Sequence, residues 1–492
     1  MSAIVFTTNR DGSEIDRLFY SVYRNKFLQS SIRTKVLQNT VIEVDLDYVD
    51  KNYKYFDILS SEQKLENGIF IKVKIHDQRY FSCVGKHVIN HLVIHRSHNY
   101  CQDTGLKVLP EGVVKVDFHN LKDAIHDEYQ LPQSLTHLTF SDSYDFQTSA
   151  FVDNLLSALP PNVRYLSLPS DMFIYDPKLP FVLPEALVDF KYETKYINVG
   201  KLVLPKGKQY KDYKIGIWTP EQLHFLRDQT WIVNVLIQKV PQVLSERLIP
   251  SHIRVLELNF EPYWEAIPLE KDQLPEGLQE LRMRYYRGHI NTNVLPVGLK
   301  ILMMSFYNQD IDDDILPEGL EHLQVTYTSR NGFTIGTLPS SLTKFYTNLA
   351  TGLKSLPSSL TNLQLINYSQ SFDSFNMLDN LTKLSIYQFT KSVAIALTNV
   401  IELEIDFQHL DKDATLSHTQ IRKLNIKIEW YPSRVSIDSD FLPKTITKLI
   451  TRGIDFSSSG TIPDGCVYLA TDIKDLDARF IPSSVRVVKT LT

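Results

Sequence analysis

Apolar residues recur at fixed offsets from a proline along most of this chain. The pattern is plainest in LPEGLQEL (274–281), LPVGLKIL (295–302), LPEGLEHL (316–323), LPSSLTKF (338–345) and LPSSLTNL (356–363). With the proline as position zero, apolar residues fall at +3, +6 and +8. After Pro317 they are Leu320, Leu323 and Val325; after Pro132, Leu135, Leu138 and Phe140; after Pro250, Ile253, Leu256 and Leu258. The frame survives loss of the proline, as in Leu381, Leu384 and Ile386 or Ile421, Leu424 and Ile426, and extends upstream to Val41, Val44 and Leu46. It yields roughly twenty units with periods of about 18 to 29 residues, the range of solenoid repeats.

Each feature of the unit has a physical reading. Positions +6 and +8 are two apart, so in an extended strand they share one face. The intervening +5 and +7 residues, such as His322 and Gln324 or Lys423 and Asn425, are polar and point the other way. Proline fixes φ and lacks an N–H, which suits the entrance of a strand. Gly or Ser before the +3 leucine suits a tight corner. A unit of this length leaves no room for a long return helix, so the return is expected to be turns and short extended pieces. The expected fold is mainly β with short helices, successive strands stacking in parallel.

The rhythm divides the chain. Residues 1–36 precede the first unit, and Ile15, Leu18, Phe19, Val22, Tyr23 and Phe27 follow helical spacing. With Ser13 as N-cap, this segment reads as a helical cap over the open end of a stack, or as an adaptor-binding segment. Residues 37–204 form an N-terminal array and 250–492 a C-terminal array. Between them, 205–249 reads as an irregular joint, with a helix start at Thr219-Pro220-Glu221 and a strand in Trp231–Ile237.

The iterated LP-x-[SG]-L-x-x-L, followed at Tyr307-Asn308-Gln309-Asp310-Ile311 by an aromatic-Asn-Gln segment, resembles the FNIP repeat, a variant of the leucine-rich repeat. LFYSVYRNKFLQSSI (18–32) is similar to the segment that often opens such proteins. The resemblance implies a leucine-rich-repeat-like solenoid with neither catalytic activity nor cofactor.

Composition narrows the function classes. The chain has 492 residues, 43% hydrophobic and 22% charged, with a formal net charge of −5. No global positive field recommends nucleic acid or an anionic membrane as partner. Three cysteines, Cys83, Cys101 and Cys466, make no disulfide framework and suit a reducing compartment. With no apolar run of membrane-spanning length and no signal-peptide core, the expected location is cytoplasmic.

Candidate chemistry concentrates in CVGKHVINHLVIHRSHNYC (83–101). On a helix, His87, His91 and His95 would share a face and chelate zinc. In the repeat frame, His91 to Ile94 align with His137 to Phe140 as a strand. His91 and His95 then face outward about 13 Å apart, too far for one ion. The frame favours the strand, so no metal or cofactor is expected, although Cys101 with Cys83 or His98 could pair across a turn. Lys201, Lys206, Lys208, Lys211 and Lys214, interleaved with Tyr210 and Tyr213, read as a solvated basic loop ahead of a strip that binds an acidic partner or RNA. Asp310, Asp312, Asp313 and Asp314 lack the spacing of a calcium loop. No nucleotide-binding, metalloprotease, hydrolase or kinase motif occurs.

The expected function is therefore non-catalytic: a scaffold for protein–protein interaction, in intracellular signalling for this family type. The alternative is a substrate receptor of a ubiquitin ligase recruited through residues 1–36. The outward positions offer Arg282, Arg284, Tyr327, Arg164 and Glu257 as partner-binding residues, because Arg and Tyr dominate protein interfaces.

Overall fold

The LP-x-x-L segment folds as a turn that sets the strand before the strand begins. The +3 amide donates to the proline carbonyl: Leu278 to Pro275 at 3.0 Å, Leu299 to Pro296 at 3.0 Å and Leu320 to Pro317 at 3.0 Å. The next two amides both donate to the +4 carbonyl of the preceding turn. Gln279 and Glu280 share the Arg254 carbonyl, and Glu321 and His322 share that of Lys300, at 2.9 and 3.0 Å in each case. Corner therefore binds corner, and the register of each strand follows. Serine at +2 adds a third tie: Ser134, Ser359 and Ser484 donate to the +3 carbonyl of the turn before, Val113, Leu342 and Cys466, at 2.9, 2.7 and 2.7 Å. Glycine at this position is not a conformational need. Gly298 and Gly319 lie outside the left-handed region, and a Cβ would meet nothing closer than 3.7 and 3.5 Å.

The structure is a computed structural model. It describes residues 25–491 except 77–78, 96–105, 120–128, 142–148, 170–179, 196–201, 239, 241–243, 245–247, 263–267, 329–332, 349–351, 367, 369, 373–377, 408–412 and 429–433. Contacts group the chain into two units, Met1–Tyr213 and Lys214–Thr492.

In the first unit, seven parallel strands among the described residues are joined in register. Val44, Val73, Leu92, Val116, Leu138, Leu166 and Phe190 form one continuous row across them. Apart from Val44 at the edge, every member is buried. The second unit repeats the design with fourteen parallel strands, from Tyr213–Ile217 to Val487–Thr490. Its +6 row runs from Ile215 through Leu256, Leu281, Leu323 and Leu403 to Leu469, all buried. Each such leucine contributes about 1.5–3 kcal/mol by leaving water. The fold is thus a mainly β parallel solenoid.

The return half of each turn is short, as the unit length demands. Two-residue strands pair at Phe181–Val182 with Leu202–Val203 and at Lys107–Val108 with Tyr129–Gln130. Isolated parallel bridges join Ile311 to Ile335 and Ile335 to Leu353. Helices are brief, and some carry side-chain caps. Asp45 accepts from Tyr48 N at 2.7 Å ahead of Leu46–Phe56, and Ser60 with Gln63 forms a capping box on Ser61–Glu66. The segment 205–249 contributes the strands Tyr213–Ile217 and Asn234–Ile237, and between them the helix Pro220–Leu226 with proline at its start. Tyr210 and Tyr213 are buried in it, so they do not form an exposed strip with the lysines. Lys208, in a +3 slot, instead donates to the carbonyls of Glu185 and Leu187, at 2.5 and 2.7 Å.

A helix spans Lys26–Leu37. The rest of the expected cap or adaptor segment, through residue 24, lies outside the described residues. No described helix is long and apolar enough to cross a membrane.

Candidate protein-interaction surface

The outward +5 and +7 side chains line up because the strands are registered without slip through most of the second unit. The +5 column reads His322, Lys344, Asn362, Lys383, Glu402, Lys423 and Lys448. Beside it, the +7 column reads Gln324, Tyr346, Gln364, Ser385, Glu404 and Asn425. Around Glu402 and Glu404 the acidic side chains pair with lysines of neighbouring turns. Glu402 sits between Lys383 and Lys423 at 2.6 and 2.5 Å, and Glu404 holds Lys427 at 2.8 Å. The two lysines, hydrogen-bonded to Glu402, hold its carboxyl below the usual carboxylate range. Side chains from Asn362 to Ile450 line a depression of about 270 Å³ in this face.

The five residues singled out by sequence divide. Glu257 projects outward and pairs with Lys214 at 3.1 Å. Arg282, its registered neighbour, is held by Glu280 of its own strand, Nε to Oε1 at 2.8 Å. Arg284 projects outward two residues further on and lies over the rings of Tyr285 and Phe306, 5.0 and 5.8 Å from their centroids. Arg164, in the first unit, is exposed at a +4 corner rather than in a column, and its carbonyl receives the amides of Val188 and Asp189. Tyr327 is a correction. It is 3% exposed, stacked 5.0 Å from Phe333 inside the solenoid, and offers a partner nothing. Its even offset of +10 carries it inward like the +6 and +8 residues.

Two turns break that parity. Tyr285 and Phe306 also stand at +10, yet their φ values are +58° and +60°. The left-handed residue turns its own ring outward, and the following residue, Tyr286 or Tyr307, takes the inward place at 1% exposure. The ladder registers the event as a shift between Ser305 and Tyr307. Left-handed backbone costs a side chain with a Cβ about 1–2 kcal/mol. The result is an outer pair, Tyr285 stacked on Phe306 at 4.6 Å and 12°, and an inner pair, Tyr286 on Tyr307 at 6.0 Å and 8°. Phe306 is 41% exposed.

The acidic run beyond Tyr307 ties turns together. Asp310 accepts from the amide and hydroxyl of Thr334 at 2.6 and 3.1 Å, and Asp313 from those of Thr337 at 2.7 and 2.8 Å. Asp312 faces His289 of the preceding turn at 3.3 Å. Ile311, between them, is buried and bridges to Ile335.

That stretch matches a known family: residues 307–346 fit the model for the FNIP Repeat. The chain carries an FNIP repeat. Its asparagine, Asn308, and glutamine, Gln309, lie in the bend after the strand, where Gln309 donates to the Arg287 carbonyl of the turn before at 3.2 Å. Among solved structures, the chain is similar to CroV588, described as a novel circular LRR protein, at 16% identity and a TM-score of 0.34. The likeness covers 92% of this chain and 69% of that one. It is also similar to YopM from Yersinia enterocolitica WA-314, at 17% identity and a TM-score of 0.29, over 78% of this chain and 74% of that one. No curated protein matches it.

Away from the FNIP repeat, the described part of the Cys/His stretch, residues 83–95, folds as the repeat frame requires. His91–His95 is a strand, and His87 lies in the short 3₁₀ helix Val84–Val88, 3.4 Å from Asp57. His91 is more enclosed than expected, its side chain 12% exposed and its Nε2 2.8 Å from Asp117. Cys83 is buried and donates to Asp50 at 3.0 Å; burial and that carboxylate push its thiol up to about 11. His98 and Cys101 lie outside the described residues. Among the described residues no three His, Cys, Asp or Glu side chains group to hold a metal ion.

A column of imidazoles escaped the sequence reading. His76, His95 and His119 stack at 4.9 and 4.7 Å, with planes 28° and 24° apart. Burial, then the neighbouring imidazoles of His119 and His76, then Lys74 and Lys72 hold His95 below the ordinary histidine range. The signal was a histidine directly after the +8 residue in three successive units: Ile75-His76, Ile94-His95 and Phe118-His119.

Proposed function

We propose that this chain is a non-catalytic scaffold for protein–protein interaction and that it receives its partner on the outward face of the second ladder. One observation carries the reading: side chains from strands far apart in sequence are brought into two unbroken columns of mixed charge and amide character around the depression at Asn362–Ile450. Such a face suits a partner protein that meets it through many modest contacts, since exposed ion pairs are individually weak and exchange readily. The partner is expected to present both signs of charge, matching the alternation of Lys383, Glu402 and Lys423.

The test is affinity purification with the wild-type chain and with the double variant Glu402→Lys and Glu404→Lys. Both residues point outward, so the melting temperature should stay within a few degrees. A partner recovered with the wild type and reduced tenfold or more with the variant supports the reading. Undiminished recovery removes this face from consideration.

A further inference from the structure

We infer that Arg284, Tyr285 and Phe306 form an anchor for a peptide segment of the partner protein that presents a carboxylate beside an apolar side chain. The inference rests on the scaffold reading and gives it a recognition chemistry.

Three independent observations meet at this point. The first is conformational. Tyr285 and Phe306 occupy left-handed backbone that glycine or asparagine adopts more easily. Yet both positions, in adjacent turns, carry a large aromatic residue. The second is packing. Tyr286 and Tyr307 already fill the core places of these turns, so the outer rings are not needed inside. Among the described residues they stack only on each other and under Arg284. The third is charge. Arg282 is held by Glu280, but Arg284 has no carboxylate partner among the described residues. Its registered neighbours, Asn259 and Ser305, are uncharged. Among the described residues its one side-chain hydrogen bond is to the Tyr285 hydroxyl, at 3.4 Å.

A guanidinium resting on an aromatic pair keeps a planar fork of donors for a carboxylate, and the pair supplies a flat apolar seat beside it. Aromatic and arginine anchors of this kind carry most of the energy of protein interfaces. Stacked rings also suit nucleic-acid bases, but a strand of RNA needs several cations along its backbone. Here the outward cation two residues away, Arg282, is already paired with Glu280, the registered neighbours Asn259 and Ser305 are uncharged, and the chain carries a net charge of −5. The peptide is favoured.

The experiment pans a phage-displayed library of random dodecapeptides on the full chain, then measures the selected peptides as synthetic probes. The expected pool has Asp or Glu within two residues of Phe, Leu, Trp or Pro. Its members should bind at least tenfold more weakly to Arg284→Ala and to Phe306→Gly. Phe306→Gly should melt at or above the wild-type temperature, because glycine relieves the left-handed strain. The inference is overturned by no enrichment over an unrelated protein, by a pool without acidic residues, by peptides that bind both variants as tightly as wild type, or by tighter binding of a dodecamer of uridylate that depends on Phe306. A pool lost on Glu402→Lys and Glu404→Lys but indifferent to Arg284→Ala overturns the anchor and leaves the scaffold standing.

Discussion

Asp313 and Lys354 are 41 residues apart in sequence and meet at 2.6 Å. The contact spans a whole turn, and the same carboxylate holds Thr337 of the turn between. Lys354 first, with Thr337, draws the Asp313 carboxyl down to about 2 from an ordinary 3.8. A depressed carboxyl contributes stability that is complete above its unfolded pKa and is lost as pH falls through the folded one. Asp313→Asn should therefore melt below wild type at pH 5 to 7, and the gap should close between about pH 4 and about 2. Thermal melts across that range check it.

The stacked histidines give the opposite end of the acid response. His95 is held below 6.5 by burial, His119, His76, Lys74 and Lys72, while Glu43 pairs with both lysines. The folded state binds the proton less readily than the unfolded chain. Stability from this group is thus complete above about 6.5 and is lost as pH falls below it. Replacing His95 with Asn should flatten the decline between pH 7 and 5. Proton NMR titration of the three imidazoles should show His95 titrating below the ordinary histidine value.

Inward and outward neighbours on one strand should differ sharply. Leu323 is fully buried in the +6 row, and Gln324 stands in the outward column. Leu323→Ala should cost about 2–5 kcal/mol. Gln324→Ala should stay within about 0.5 kcal/mol. Denaturant unfolding of both variants tests the assignment of faces directly, and equal effects would contradict it.

The corner serine makes a smaller, specific prediction. Ser341 lies against the Leu320 carbonyl of the preceding turn at 2.7 Å and also contacts the Glu318 carbonyl. Ser341→Ala should lose about 1 kcal/mol, the worth of one such hydrogen bond. Restoring a donor with Ser341→Thr should recover part of it, whereas loss from both would assign the effect to crowding at the turn.

Much of this architecture was legible because offset encodes direction. The +3, +6 and +8 positions announce buried rows, and residues such as Leu320, Leu323 and Val325 behave accordingly. Tyr327 faces inward, against the expectation of an outward anchor, because its even offset sends it there. Tyr285 and Phe306 have the same offset and point outward because a left-handed residue reverses parity. The only trace in sequence is the aromatic doublet, Tyr285-Tyr286 and Phe306-Tyr307. The acidic run from Asp310 was legible as charge but not as stitching, because its partners Thr334, Thr337 and Lys354 are set by how turns stack. The histidine column is hidden for the same reason: spacing within one strand does not show contact between strands.

Every corner in the second unit's regular stretch grips the one before it through the same pair of amides on the same carbonyl. Any two corners are therefore interchangeable as neighbours. A gene duplication or deletion that respects whole turns would leave each remaining joint chemically intact, while the loops between them drift in length. The number of rungs is in that sense a quantity evolution can dial, with the corner, whether or not it holds a proline, as the joint that is repeated.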